Sequence, residues 1–292
     1  MILAIDVGGS SIKFAIFDEL NIIHNENIPT PQSGSTDVIK TINLLIESSI
    51  NSYNIDKVGI GFPSVVSKDY FVHIAPNIPD FVNIDLKKVI CDNFPDLVIK
   101  IENDANAAAL AELKYGEGQG LNNLIYVTLG SGIGGSIIIN KSIYYGDKNG
   151  AGEIGYSNFK FDENINLVPN RTGIFEEYLG RKQFTEYFNL KYTQNASSPL
   201  EIFELAEKGD KSAIESFEYY GKLLGIGICS TMNLLDIHSV IIGGGLAKAE
   251  KYFFQSMIEY IEIKKLNHIV PNIKIAKYIE DTGIYGARAI ID

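Results

Sequence analysis

A short polar segment, Glu102–Asp104, separates a strand-like run from an alanine-rich helical stretch. A residue at such a junction lies at the carboxyl edge of the sheet, where open α/β folds bind their ligands. Asp104 can accept a proton from a hydroxyl that attacks phosphorus, and Asn103 can hydrogen-bond to a neighbouring hydroxyl. Asp104 or Asn103 can equally serve as the N-cap of the helix. The two roles are compatible, and the segment alone favours the cap.

Two glycine-rich turns, Asp6–Lys13 (DVGGSSIK) and Thr128–Gly135 (TLGSGIGG), each lie between strand-like runs. Glycines let backbone N–H groups close on phosphate oxygens, and no helix follows here as it would in a Walker or Rossmann loop. We interpret both turns as hairpins that grip the β- and γ-phosphates of a nucleotide from opposite domains, although a plain tight turn explains either one alone. Asp6 ends the first strand and can hold Mg²⁺ directly or through water. A third run, Gly243–Gly245, would let an adenosine approach closely, although a turn or helix packing explains it equally well.

The order of strand-like and helical segments predicts an α/β protein with a mixed sheet. Thr36 is expected to cap the first helix, and apolar spacing predicts further helices over Phe175–Phe188, Pro199–Lys208 and Lys211–Leu235. We divide the chain into an N-terminal domain, residues 1–112, and a C-terminal domain, residues 113–280. Residues 281–292 form a closing helix.

The composition limits the classes of function. The 292 residues are 46 % hydrophobic and 21 % charged, as in a soluble globular protein. The formal net charge of −11 argues against nucleic-acid or anionic-membrane binding, because both need a basic surface. There is no apolar run of the roughly 20 residues that span a bilayer, and the N-terminus lacks a basic region, so we expect a cytoplasmic protein. The two cysteines, Cys91 and Cys229, cannot form a purely cysteine zinc site.

Together the motifs resemble those of the ROK family of sugar kinases and sugar-responsive repressors, over nearly the whole chain. The two glycine turns look like the family's phosphate motifs, and Glu102–Ala109 (ENDANAAA) looks like its catalytic motif. Ile241–Gly245 (IIGGG) is similar to the adenosine-side glycines. Asp281–Ala287 (DTGIYGA) is similar to the final helix, which returns to the N-terminal domain.

The resemblance implies a two-domain actin-like ATPase (ribonuclease H-like) fold with the sugar in a cleft, and a domain closure that expels water. It implies ATP and Mg²⁺ as cofactors, a small-molecule sugar as partner, and a homodimer or homotetramer. Asp104 matches the catalytic base. The predicted sugar-binding residues are Asn77, Asn103, Asp104, Glu153, Tyr156 and Glu176. The predicted nucleotide-binding residues are Asp6, Gly8, Gly9, Ser10, Lys13, Thr128, Gly130, Ser131, Gly132, Gly244 and Gly245.

One departure from the family concerns its zinc site. The positions that normally hold a histidine and three cysteines carry Tyr156, Leu167, Pro169 and Ile174. Leucine, proline and isoleucine offer no ligand and tetrahedral zinc needs four, so we predict that zinc is absent and that packing holds the scaffold. In the family, the replaced histidine also touches the sugar, so this departure leaves the identity of the sugar undetermined. The first expectation is phosphorylation of the 6-hydroxyl of glucose. Mannose, an N-acetylhexosamine or another hexose are the alternatives. Some relatives without the cysteines use polyphosphate, but the acidic composition favours ATP.

Two hypotheses for a protein without catalytic activity compete with the sugar-kinase hypothesis. A ROK-type repressor carries a helix-turn-helix ahead of the first phosphate motif, whereas only five residues precede Asp6 here. A silent sugar- or nucleotide-binding protein would not need Asp6, Asp104 and both glycine turns. The kinase reading is therefore the one that the sequence favours.

Overall fold

The computed structural model describes residues 1–75, 77–158 and 173–292. It divides the chain into two compact units. Unit 1 comprises Met1–Gln119, Ile143–Ala151 and Asp281–Asp292, and unit 2 comprises Gly120–Ser142 and Gly152–Glu280. The segment Ile143–Ala151 thus lies in unit 1, although the sequence-based division assigned it to the second domain.

The strands are β1 Ile2–Val7, β2 Ser11–Asp18, β3 Asn21–Pro29, β4 Lys57–Phe62, β5 Phe71–Ile74, β6 Val82–Asp85, β7 Val98–Asn103, β8 Leu124–Leu129, β9 Ile133–Ile139, β10 Ser142–Ile143, β11 Ser239–Gly243 and β12 Asn272–Ile275. The α-helices are α1 Ser35–Tyr53, α2 Leu86–Val89, α3 Asp104–Tyr115, α4 Glu176–Leu179, α5 Arg181–Tyr192, α6 Pro199–Glu207, α7 Lys211–Leu235, α8 Glu250–Lys264 and α9 Thr282–Ala289. Short 3₁₀ helices cover Cys91–Asn93, Ile154–Tyr156 and Gly245–Ala249.

Unit 1 is built on a five-stranded sheet in the order β3-β2-β1-β4-β7. Strands β1, β2 and β3 pair antiparallel, whereas β4 pairs parallel with both β1 and β7. The central strand β1 reads as a nearly continuous apolar run because it is covered on both faces. Strand β3 is mostly exposed because it forms the edge.

Helices α3 and α9 lie close together in unit 1. A Cβ at Gly286 would lie 2.9 Å from the carbonyl carbon of Ala107, so glycine is required for this close approach. Gly59 of β4 meets α9 in the same way, since a Cβ there would lie 1.8 Å from the carbonyl oxygen of Ala287. The C-terminal helix therefore packs onto the sheet that carries Asp6.

Unit 2 has a five-stranded sheet in the order β10-β9-β8-β11-β12. Strands β8 and β9 pair antiparallel, and β11 pairs parallel with β8 and β12. Each unit therefore places an antiparallel hairpin beside a parallel strand, with Gly8 following β1 as Gly130 follows β8. The two glycine turns therefore occupy equivalent places in the strand order of their units.

Two helix predictions were wrong in detail. Helix α1 begins at Ser35, and its N-cap is Gly34, at φ 132°, rather than Thr36. The predicted single helix Phe175–Phe188 is two helices, α4 and α5, because Gly180 adopts an extended ψ of 154° between them. None of the helices in the described part of the chain combines the length and apolar character that a bilayer-spanning segment requires.

Candidate active site

Asp104 is the first residue of α3 and follows directly on β7. Asn103 is the N-cap, since its side-chain oxygen accepts a hydrogen bond from the Asn106 backbone N–H at 3.0 Å. The Asn103 amide nitrogen donates to Oδ1 of Asp104 at 3.1 Å and to the backbone oxygen of Ser64 at 3.1 Å. The Ala105 backbone N–H donates to the same Oδ1 at 2.8 Å. The cap thus also fixes the orientation of the Asp104 carboxylate.

The surroundings of Asp104 make it a stronger base than an ordinary aspartate. Removal of water by the surrounding protein raises the pKa of Asp104 to about 6, and the negative charge of Asp6 acts in the same direction. Hydrogen bonds from Ala105 and Asn103 oppose the shift. The residue nevertheless remains exposed at the surface of the chain.

Asp6 lies at the end of β1, where it faces Lys13 across the β1–β2 hairpin. Burial raises the pKa of Asp6 to about 6, and the charge of Lys13 opposes the rise. Gly283, near the start of α9, lies directly against this carboxylate, since a Cβ there would be 2.0 Å from Oδ2 of Asp6. Glycine at position 283 therefore leaves room for Asp6.

Asp6 fits the role of a magnesium ligand. Mg²⁺ keeps several waters and takes one or two carboxylates together with phosphate oxygens. Asp6 supplies one half-buried carboxylate next to a glycine turn, which suits an ion held mainly by nucleotide and water. Among the residues that the structure describes, no group of three or more His, Cys, Asp or Glu side chains is placed to hold a metal ion.

The first glycine turn is a hairpin, as predicted. The Gly8 backbone N–H donates to the carbonyl of Ser11 at 2.9 Å and closes the turn that contains Ser10. The hydroxyl of Thr30, the residue after β3, donates to the carbonyl of Gly8 at 2.6 Å and so supports the turn. A Cβ at Gly9 would lie 2.6 Å from the carbonyl oxygen of Asn77, so this predicted sugar-binding residue adjoins the turn.

The second glycine turn is also a hairpin, closed by a hydrogen bond from Gly130 N–H to the Gly132 carbonyl at 3.0 Å. Glu176 contacts this turn, because its Oε2 accepts from the Ile133 backbone N–H at 2.9 Å. A Cβ at Gly132 would lie 1.9 Å from that same oxygen. Exposed Ser131 accepts at its carbonyl from the Arg181 backbone N–H at 3.2 Å. Helices α4 and α5 therefore support the turn.

The two glycines that follow β11 differ in their surroundings. Gly243 of β11 pairs with Thr128 of β8, so Gly244 and Gly245 follow the same sheet edge as the second turn. Gly244 has φ 85° and would place a Cβ 2.4 Å from a backbone oxygen of Leu129, which requires glycine. A Cβ at Gly130 or Gly245 would meet nothing within 4 Å. Packing around these two glycines therefore leaves room for a side chain.

The predicted sugar-binding residues of unit 2 lie around one turn. Glu153 precedes the 3₁₀ helix Ile154–Tyr156, Tyr156 is its last residue, and both are exposed. Within it, a Cβ at Gly155 would lie 3.4 Å from Cβ of Glu176 and 2.2 Å from the Ile133 carbonyl oxygen. The structure thus brings this turn, Glu176 and the second glycine hairpin together in unit 2. Asn77, Asn103 and Asp104 belong to unit 1.

The sequence model of the ROK family matches residues 2–292. The chain belongs to the ROK family. An N-acetyl-D-glucosamine kinase from Pasteurella multocida (strain Pm70) is 29% identical over 98% of this chain and 97% of its own. A glucokinase from Halalkalibacterium halodurans is 26% identical over 99% of this chain and 94% of its own.

Among solved structures, a ROK family glucokinase from Streptomyces griseus, in complex with glucose and AMPPNP, superposes with a TM-score of 0.80. It is 26% identical, and the match covers 99% of this chain and 98% of that one. The comparisons confirm the predicted family, the actin-like fold and the enzyme class, a sugar kinase.

Two of the four ROK zinc positions fall within the described residues. Tyr156 is 64% exposed, and Ile174 forms an isolated antiparallel bridge with Asn158. Leu167 and Pro169 lie outside the described residues. Phe175 is fully buried in the core of unit 2, where a Cβ at Gly227 would lie 2.4 Å from its ring. Packing by Phe175 therefore holds the start of α4 and, with it, Glu176.

Sequence reasoning missed three contributors to the site of this ROK protein. Gly283 contacts Asp6, and Glu102 and Tyr145 share a hydrogen bond of 2.6 Å next to the Asn103–Asp104 junction. Gly283 lies in the motif Asp281–Ala287, but no local pattern indicates that it meets a residue near the N-terminus. Tyr145 lies in a segment with little periodicity, where sequence gives no partner.

Proposed function

We propose that this protein transfers the γ-phosphoryl group of ATP to the 6-hydroxyl of a gluco-configured hexose, with Asp104 as the general base. The observation that carries the proposal is the junction of β7 and α3. There an exposed carboxylate with a raised pKa is held in one orientation by Asn103 and Ala105. This is what a general base near neutral pH requires.

The hydrogen bonds to Asp104 suggest which atom reacts. Both bonds from neighbouring residues go to Oδ1, and we propose that Oδ2 takes the proton of the sugar hydroxyl as its oxygen attacks phosphorus. The proton leaves the hydroxyl as the bond from oxygen to phosphorus forms and the bond to the leaving ADP oxygen breaks. Asn103 keeps the carboxylate oriented through this step.

We propose that the two glycine turns and Asp6 bind the nucleotide and its Mg²⁺. Backbone N–H groups of the two turns bind phosphate oxygens, and the space beside Gly130 and Gly245 accepts the nucleotide. Asp6 would hold Mg²⁺ directly or through water. When bound, the ion neutralises charge that develops between the β- and γ-phosphates.

For the sugar, we propose glucose as the first candidate. The glucokinase from Halalkalibacterium halodurans and the glucose-bound enzyme from Streptomyces griseus support it. N-acetylglucosamine is the second candidate, because the relative from Pasteurella multocida bears that name. The two sugars differ at carbon 2, so residues near that carbon decide between them. We propose that Asn77, Glu153, Tyr156 and Glu176 contact the sugar hydroxyls.

An ADP-release screen tests the proposal. Purified protein with Mg²⁺ and ATP is given glucose, N-acetylglucosamine, mannose and N-acetylmannosamine in turn, and Asp104→Asn serves as the blank for contaminating kinases. We expect turnover with glucose or N-acetylglucosamine and a 6-phosphate product by NMR. A parallel series with polyphosphate, read out as sugar phosphate, tests the donor. No turnover with any sugar and either donor would favour the silent binder instead.

A further inference from the structure

Glu102, which directly precedes Asn103 and Asp104, receives three hydrogen bonds. Its Oε1 accepts from the Asn103 backbone N–H at 2.9 Å and from the side-chain amide of Asn106 at 3.0 Å. Its Oε2 accepts from the Tyr145 hydroxyl at 2.6 Å. These bonds hold the peptide just before Asp104 and the first turn of α3. The Glu102 carboxylate thus holds Asn103, before Asp104, and Asn106, after it.

Tyr145 comes from the segment Ile143–Ala151, which belongs to unit 1. The Ala151 backbone N–H donates to the Tyr145 carbonyl at 3.1 Å and closes the segment on itself. The Asn149 side chain donates to the backbone oxygen of Val66 at 2.9 Å and ties the segment to the unit. Two residues beyond Ala151 the chain reaches Glu153, one of the proposed sugar contacts.

A cavity of about 410 Å³ in unit 1 adjoins the pair, with Glu102 and Tyr145 in its wall together with Lys68, Lys100 and Leu110. Because the cavity leaves room beside the Glu102 carboxylate, the hydrogen bond from Tyr145, rather than close packing, restrains Oε2 on that side. Burial first, and then the bond to Glu102, raises the pKa of Tyr145 well above its usual range. The hydroxyl therefore stays protonated and remains a donor.

We propose that Glu102 and Tyr145 are positioning residues that hold the Asn103–Asp104 junction in register for proton transfer. The proposal rests on the proposed function, in which Asp104 is the base. Without the Tyr145 hydroxyl, Oε2 of Glu102 loses its restraint and the carboxylate can turn into the cavity. The Asn103 peptide then loses its fixed acceptor, and Asp104 is presented over a wider range of positions.

Tyr145→Phe tests the proposal, because it removes only the hydroxyl. We expect kcat to fall about tenfold, since a misplacement below 1 Å already costs part of the roughly hundredfold loss known for 1 Å. The KM for ATP is expected to stay within about twofold, because neither residue belongs to the nucleotide site. The matched control is Tyr115→Phe. Tyr115 is the last residue of α3, the helix that begins at Asp104, and its hydroxyl donates to Asp292. We expect this control variant to leave kcat unchanged.

Combination with Asp104→Asn separates positioning from general damage. If the pair acts through Asp104, Tyr145→Phe causes less than about a twofold further loss in the Asp104→Asn background. A tenfold loss in both backgrounds would show a merely structural role and overturn the proposal. So would a kcat of Tyr145→Phe within twofold of the Tyr115→Phe control.

A second variant guards against misfolding. Glu102→Asp keeps the charge but shortens the side chain, so it cannot reach both the Asn103 N–H and Tyr145, and we expect a kcat loss at least as large as for Tyr145→Phe. Circular dichroism selects the variants that fold, and wild-type kcat in either folded variant contradicts the proposal. Near-normal kcat in Asp104→Asn alone refutes the base itself, so the two failures are distinguishable.

Discussion

The raised pKa of Asp104 predicts a loss of activity at mildly acidic pH. A proton on Asp104 removes the base, so the rate falls as the pH drops through the pKa. With a pKa of about 6, the ionised fraction falls from about 0.9 at pH 7 to about 0.1 at pH 5, a roughly tenfold loss. An ordinary aspartate with the reference value of 3.8 would lose only about 6 % over the same range.

The assay measures initial rates with sugar and Mg·ATP both well below their KM, so that the rate reports the free enzyme. Asp6, whose pKa is also about 6, titrates in the same window and can only deepen the fall. Circular dichroism at pH 5 serves as the control that the protein is still folded near its sequence pI of about 4.9. A rate at pH 5 within twofold of the rate at pH 7 would refute the argument from burial.

Four further outcomes are expected. Gly283→Ala places a Cβ 2.0 Å from Asp6 and forces that carboxylate to move; we expect the Mg²⁺ concentration for half-maximal activity to rise at least about tenfold. Gly245→Val enters open space, so the melting temperature stays unchanged while the KM for ATP rises about tenfold or more. Phe175→Ala, at a fully buried ring, lowers the free energy of unfolding in urea by about 3–5 kcal/mol. Elemental analysis of purified protein finds no stoichiometric zinc; one zinc per chain contradicts the interpretation of Tyr156.

Local patterns predicted the elements well. Both glycine turns are hairpins, and α7 spans Lys211–Leu235 as expected, because its apolar positions repeat at helical spacing and Asp210 caps its start. The choice between Asn103 and Asp104 as the cap of α3 could not be made from sequence, since both residue types cap helices equally well. Asn103 takes the cap, which leaves the Asp104 carboxylate exposed at the surface.

Long-range contacts escaped prediction for a physical reason. The hydrogen bond between Glu102 and Tyr145 and the contact between Gly283 and Asp6 join residues far apart in the chain. Period and propensity describe neighbours along the chain, so they carry no signal for such pairs. The break at Gly180 was missed for a similar reason, because that glycine packs against the carbonyl oxygen of Ser131.

The central claim is that Asp104 is the general base, and the most direct measurement is the kcat of Asp104→Asn with the preferred hexose. Asparagine keeps the size of the side chain and its acceptor for the Ala105 N–H, so the site stays formed. We predict a kcat at least ~100-fold below wild type, with a dissociation constant for the sugar, by calorimetry, within about threefold. A kcat within threefold of wild type would contradict the account.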